Sequence, residues 1–203
     1  MSTLTVIEHL SLDGVLQAPA RPDEDPRGGF QYGGWARART EPAMTEAMGA
    51  LMPPGWSLLL GRRTYEDLYG FWPKQSQPNP FTEVLNNVQK YVASGTLTEP
   101  LEWQNSTLLK GDAAAAVADL KAQGHDLVVF GSGELVRTLA RAGLVDTYLL
   151  MIHPVVLGSG ARLWSGRSVG FTHDSAYASL ELAGSVTTGT GVIIATYHTR
   201  STR

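Results

Sequence analysis

The chain of 203 residues contains no cysteine. Disulfides, thiolate zinc sites and cysteine nucleophiles are therefore excluded. Its five histidines are His9, His125, His153, His173 and His198, and none forms an H-x-x-x-H pair or another close metal spacing. That pattern argues against a metal centre. Charge is sparse too, at 17% of residues with a net of −3. Duplex-binding proteins usually carry a basic face, so nucleic acid is not expected as a partner. No apolar run approaches the ~20 residues that span a bilayer. The N-terminus lacks a basic segment followed by an apolar one, so a cytoplasmic protein is expected. The 22 glycines and 11 prolines imply many turns, yet no repeat, linker or low-complexity tract divides the chain. A single domain over residues 1–203 is the expectation, and that length suffices for one buried core.

The residues that are present alternate between strand and helix patterns. Leu4–Leu10 is rich in β-branched residues and reads as a strand. Gln17–Gly34 is polar and Gly/Pro-rich, and a loop that long inside a domain is usually functional or mobile. Glu41–Met52 reads as a helix, with Met44, Ala47, Met48 and Leu51 on one face. Strands are predicted at Trp56–Leu60, Tyr91–Ser94, Ser106–Leu109, Leu127–Phe130 and Val145–Ile152. Helices are predicted at Arg63–Tyr69, Asn79–Val88, Ala113–Gln123 and Glu134–Ala142. For the alanine-rich helix, Asp112 is the expected N-cap and Gly124 the stop. The tail, Ala176–Tyr197, holds two more strand-like runs. The pattern predicts an α/β fold: a largely parallel sheet flanked by helices, with antiparallel strands at one edge.

Two segments share one design. Leu58-Leu59-Leu60 runs into Gly61-Arg62-Arg63-Thr64, and Val128-Val129-Phe130 runs into Gly131-Ser132-Gly133-Glu134. A strand that turns directly into a helix gathers free backbone N–H groups and the positive helix end at one point, which suits a phosphate. Arginine forks suit a phosphate monoester. Read alone, the first turn fits equally a helix start with two solvated arginines. The second lacks the third glycine of G-x-G-x-x-G, where Val136 stands, and fits a capping turn as well as a pyrophosphate cradle.

Other segments leave similar pairs of readings. Asp13, in Ser11-Leu12-Asp13-Gly14, could meet a substrate at a strand end or serve as a turn residue. Gly158-Ser159-Gly160 could form an anion-binding nest or a simple connecting loop. Trp35, beside the glycine pair Gly33-Gly34, could cover a flat ring or anchor its loop. Glu41 and Glu46 lie on the polar side of the first helix, where one could supply a proton. His9, His125, His173 and His198 have no evident partner, while His153 borders the Gly158 loop.

The order of these motifs, from Ser-Leu-Asp-Gly through Leu-Gly-Arg-Arg-Thr-Tyr-Glu and Phe-Gly-Ser-Gly to Leu-Gly-Ser-Gly, resembles the dihydrofolate reductase-like superfamily. The branch it is most similar to contains the reductase domain of riboflavin-biosynthesis deaminase-reductases and their stand-alone relatives. The resemblance spans about Thr3–Thr199. It implies a three-layer α/β sandwich around an eight-stranded mixed sheet, NADPH as cofactor, and a homodimer. It places Gly61, Arg62, Arg63 and Thr64 at the adenosine-side phosphates, Ser94 near the ribose phosphate, and Gly131, Ser132, Gly133 and Glu134 at the pyrophosphate. Asp13 and Glu46 become candidate catalytic groups. Trp35, Gly158, Ser159 and Gly160 would border a pterin- or pyrimidine-like substrate. The chain departs from the enzymes that reduce folate on the first helix, where no acidic residue matches the pterin-binding one. It has no H-x-E with P-C-x-x-C deaminase signature. A nucleotide-binding sensor without turnover is the rival reading.

Overall fold

The run Ser57-Leu58-Leu59-Leu60 is buried along its whole length, as a strand covered on both faces must be. It is one of eight strands in a mixed sheet of order β4-β3-β2-β5-β1-β6-β8-β7. In chain order these are β1 (Leu4–Ser11), β2 (Ser57–Gly61), β3 (Gln89–Ala93), β4 (Ser106–Leu109), β5 (Leu127–Phe130), β6 (Thr147–His153), β7 (Leu180–Thr187) and β8 (Ile193–Thr199). The helices are α1 (Pro42–Ala50), α2 (Arg62–Phe71), α3 (Pro80–Asn87), α4 (Ala113–Ala122) and α5 (Gly133–Arg141). This is a computed structural model, and it describes residues 2–77, 80–164 and 179–200. The start of the predicted tail strands (Ala176), Asn79 and His173 lie outside the described residues.

The contacts fall into two compact units. The first comprises Met1–Leu4 and Met52–Leu144. Here β2 pairs in parallel with β3 and β5, and β3 with β4. Parallel strands require crossover connections: α2 and α3 connect β2 to its neighbour β3, and α4 carries the chain from β4 to β5 on the other side of β2. The core between sheet and helices gathers Leu58, Leu60, Tyr65, Leu85, Val92 and Trp103. The Tyr65 hydroxyl accepts the Trp103 backbone N–H at 2.9 Å, and the indole N–H of Trp103 donates to Asn86 at 2.8 Å. The Asp112 carboxylate accepts the Ala115 N–H at 2.8 Å, so α4 has the cap its sequence predicts. Gly124 ends it at φ +92°.

Lys90 is the feature of this unit that the sequence hides. It sits in β3 with 0% exposure. Its ammonium donates to the carbonyls of Val88 (2.8 Å), Gln104 (3.0 Å) and Asn86 (3.2 Å), and lies 4.6 Å from the centre of the Trp103 ring. Burial pulls its pKa down to about 8, so it is still charged at neutral pH.

The second unit comprises Thr5–Leu51 and Val145–Arg203. In it β1 and β6 are parallel, with Ser11 opposite His153. Strand β8 is antiparallel to both β6 and β7, and the β7–β8 ladder is bulged between Leu182 and Gly184. The antiparallel strands stand at one edge, as the pattern predicts. Helix α1 is shorter than predicted, and on its expected apolar face only Met44 is fully buried. Glu41 precedes it, but its carboxylate reaches away to the β7–β8 turn, accepting the N–H groups of Thr190 (2.6 Å) and Gly189 (3.2 Å).

Candidate functional site

The two strand-to-helix turns of the first unit touch. The Ser132 hydroxyl accepts the Gly61 N–H at 2.8 Å and donates to the Thr64 hydroxyl at 2.8 Å. Glycine at 61 also has a packing role that the sequence does not show: a Cβ there would lie 3.2 Å from Ser132 Oγ, close enough that the hydroxyl would have to give by a few tenths of an ångström. Gly131 and Ser132 both take positive φ, at +64° and +63°. For serine that backbone is uncommon, and such strain persists only where surrounding bonds hold it. Neither α2 nor α5 has a side-chain cap, in contrast to α4. The first-turn N–H groups of both helices are thus left unclaimed by side chains at their caps.

The charged groups around these turns differ from one another. Arg62 pairs with Glu66 one turn on, at 3.1 Å. Arg63 is exposed and makes no hydrogen bond or ion pair among the described residues. Glu134 is exposed on the first turn of α5, where its carboxylate would repel a phosphate and only its backbone N–H could serve one. Ser94 follows β3, and its hydroxyl accepts the N–H groups of Leu97 (3.0 Å) and Thr96 (3.1 Å), closing a local turn.

In the second unit the Gly158 nest already holds an anion, and that anion is Asp13. Its carboxylate accepts the N–H groups of Gly158 (2.9 Å) and Leu157 (3.1 Å), the Ser11 hydroxyl (2.7 Å) and the Arg162 guanidinium (3.0 Å). Arg162 also bonds the Asp13 carbonyl at 2.8 Å, and Val15 bridges Arg162 in antiparallel fashion. The Ser11 bond above all, then the two N–H groups and the arginine, hold this carboxyl well below the usual range. Of the two readings of each segment, this geometry matches a loop-ordering Asp13 and a connecting loop whose Leu157 and Gly158 N–H groups are occupied from within the chain. Gly160 closes the loop against Val15 and Phe30, and a Cβ there would lie 2.8 Å from each.

Gln17 organises the long loop, a role that its sequence context does not announce. Its amide donates to the carbonyls of Asp25 and Arg27, both at 3.0 Å, and accepts the Ala161 N–H at 2.8 Å. The Trp35 indole N–H donates to the Gln17 carbonyl at 2.8 Å, and Phe30 is buried with Val15 and Ala18. The loop is tied down at both aromatic residues.

His9 has a partner after all. Its Nδ1 lies 2.9 Å from Nε2 of His153, and the Trp35 ring meets His153 edge-to-face at 5.2 Å. Burial lowers the pKa of His9 to about 3 and that of His153 to about 4, the latter helped by the charge of Arg39. Both rings are neutral at physiological pH. Elsewhere His198 bonds Thr147 and His125 packs edge-to-face on Tyr91. On the outside of the unit Thr40, Glu41, Pro42, Thr45 and Glu46 line an open cleft of about 520 Å³. Glu41 is engaged at the β7–β8 turn, which holds its pKa low, and Glu46 is exposed.

No group of three or more acidic or histidine side chains suited to a metal occurs among the described residues. No described helix is long and apolar enough to cross a membrane.

Known proteins share this fold. The riboflavin biosynthesis-type protein of Shewanella sp. PV-4 superposes with a TM-score of 0.71 over 98% of this chain and 99% of its own, at 23% identity. A pyrimidine reductase-like protein from Corynebacterium diphtheriae gives 0.65 over 98% and 92%, at 10% identity. Dihydrofolate reductase from Enterococcus faecalis, solved with NADP(H) and RAB-propyl, gives 0.58 over 98% and 97%, at 14% identity. At these identities the likeness establishes the fold, which is that of dihydrofolate reductase. In sequence, the uncharacterized protein YyaP of Bacillus subtilis (strain 168) is 31% identical over 147 residues, or 70% of this chain and 73% of its own. The sequence model for the RibD C-terminal domain matches residues 2–194. The chain therefore belongs to the RibD C-terminal domain family.

Proposed function

We propose that this protein is an NADPH-dependent reductase that delivers a hydride to a C=N or C=O carbon of a small pterin- or pyrimidine-like substrate. The observation that carries this reading is the pair of uncapped helix starts, α2 and α5, fastened together by Ser132. Two positive helix ends so close together suit the phosphates of a dinucleotide. Thr64, Gly131, Ser132 and Gly133 would hold them through backbone N–H groups, with the Glu134 N–H beside them, while Gly61, its own N–H taken by Ser132, would keep the turn clear of a side chain. Arg63, exposed and unengaged, and Arg62 would take the 2′-phosphate, and Ser94 would lie near its ribose. When bound, NADPH supplies the hydride. Two of the structural relatives, a pyrimidine reductase-like protein and a dihydrofolate reductase solved with NADP(H), support the same class.

Removing the Arg63 side chain is expected to lower the preference for NADPH over NADH at least about tenfold, because a charged hydrogen bond contributes roughly 1.5–3 kcal/mol. Arg62→Ala is the companion variant. Steady-state kinetics with both cofactors reads the ratio, and an unchanged ratio in both variants would remove the phosphate role.

The chain's own residues position the substrate and exclude water. Asp13 holds the Gly158–Gly160 loop, and Trp35 borders the same side of the second unit. With Asp13 ionised and Glu41 engaged, Glu46 or solvent supplies the proton. The absence of a committed acid favours one rival, a nucleotide-binding sensor. NADPH that binds in calorimetry but is never oxidised across a panel of pterins, ribosylamino-pyrimidines and small carbonyl compounds would decide for it.

A homodimer belongs to the same reading. Strand β6 is buried and contributes core, but the outer strands expose Leu182, Val186 and Ile193 at 54%, 59% and 42%. Strand β7 is the last in the sheet, and an apolar edge of this kind calls for cover. Sedimentation equilibrium is expected to give the dimer mass, with Leu182→Lys shifting it to monomer. A wild-type monomer at micromolar concentration would refute the dimer.

A further inference from the structure

Among the described residues of the second unit, the His9–His153 pair is a part-buried titratable cluster that none of the roles above uses. His153 is fully buried, and its Nδ1 has no hydrogen-bond partner among the described residues. Buried ring nitrogens are ordinarily satisfied, so an orphan of this kind needs a reason.

The pair shares one hydrogen across the 2.9 Å contact. If His9 donated it, His153 would carry its own proton on Nδ1, as a buried N–H with no acceptor. If His153 donates it from Nε2, Nδ1 is left as a bare lone pair. Orphaned buried N–H groups are rarer than under-used acceptors, so the second arrangement is the stable one. His9 thereby fixes the tautomer of His153, and Nδ1 becomes an acceptor waiting for a donor.

What packs on the His153 ring is aromatic. Trp35 packs edge-to-face on the ring, half-buried, one residue beyond Gly34 at φ +79°. Its indole N–H holds only the Gln17 carbonyl. A turn of this one side chain would expose the His153 face it covers, at the loss of that hydrogen bond and of its packing beside Val15, Ala18 and Phe30. The surroundings select the visitor's chemistry. Burial that keeps both imidazoles neutral disfavours an ion, and the Arg39 charge that acts on His153 disfavours a cation further. A flat ring can take the place of the indole against His153.

We infer that Nδ1 of His153 is the acceptor of a ligand subsite that takes an N–H of a neutral planar ring, with His9 as its positioning residue and Trp35 as its cover. The inference rests on the reductase reading only for the statement that this ring is the substrate; the subsite itself stands on the pair's geometry.

Histidine-selective ¹⁵N labelling of the whole protein, without NADPH, tests it by long-range ¹H–¹⁵N NMR. His153 is expected in the Nε2–H form with Nδ1 bare. Uracil, which carries hydrogen on both ring nitrogens, is the probe. It is expected to move the Nδ1 resonance as a new hydrogen bond forms. 1,3-Dimethyluracil, the same ring without N–H, is expected to bind at least about tenfold more weakly. His153→Leu should abolish the preference, and His9→Ala should let the proton populate Nδ1. A protonated Nδ1 in the resting protein, no response to uracil, or equal binding of the two rings would each overturn the inference, and the wild-type titration decides even if a variant does not fold. NADPH oxidation plays no part in this readout. A failed reductase reading with an intact uracil response would leave the subsite standing.

Discussion

Lys90→Met is expected to cost about 4 kcal/mol of folding stability, a drop in Tm of roughly 8–16 °C for a chain of this size. Methionine keeps the apolar stem and removes the ammonium. The carbonyls of Asn86, Val88 and Gln104 then lose this donor, that of Asn86 keeping the Gln104 side-chain amide at 2.9 Å. Each orphaned group costs roughly 1–3 kcal/mol. Asn86 and Asn87 end α3, where a cation also meets the negative end of the helix. The ring of Trp103 under the ammonium adds a smaller attraction. The opposing effect is the desolvation that a buried charge suffers and a methionine does not. With all three ammonium protons placed on carbonyls at 3.2 Å or less, the bonds outweigh it. Urea unfolding of both proteins at pH 7 measures the difference. A loss below about 1 kcal/mol would mean that desolvation cancels the three bonds.

Asp13→Asn is expected to cost about 2 kcal/mol at pH 7, with an effect that depends on pH. An amide offers a single acceptor oxygen where the carboxylate satisfies four donors. The side chain is 20% exposed, so solvent screens part of the charge and keeps the figure modest. The sign follows from the depressed pKa of the folded state. Above the unfolded carboxylate value near 4, the charge contributes its full stability. As pH falls through that value towards the folded one, the contribution disappears. Unfolding curves at pH 7, 5 and 3 should therefore converge for the two proteins at the acid end. A constant gap at all three values would show that shape, and not charge, holds the Gly158 loop.

Most of the fold was legible because it is written in local patterns. The buried runs Leu58–Leu60 and Leu127–Phe130, the Asp112 cap and the Gly124 stop each specify their element within a few residues. Eight strands, with antiparallel ones at one edge, follow from that series. The candidate site was legible only as a set of motifs. Gly61 reads as a place for a ligand, but its close neighbour is the Ser132 hydroxyl, 71 positions away. Asp13 and Gly158 read as two separate open sites, whereas they close on one another. His9 and His153 are 144 positions apart and form no spacing that a scan along the chain could register. Helix α1 was overextended because its apolar spacing runs on to Leu51, past Gly49, where the helix has nearly ended. Contacts between distant segments are set by register between strands, and register is decided by the whole sheet.

Ser132 gives the two turns a shared fate. One hydroxyl at the start of α5 holds both the N-cap glycine and the first-turn threonine of α2, in a backbone conformation that serine rarely adopts. Neither end of the paired turns can be retuned alone. A side chain at Gly61 would press on the Ser132 hydroxyl at 3.2 Å, so a change made in one turn is transmitted to the other and the pair answers as one part.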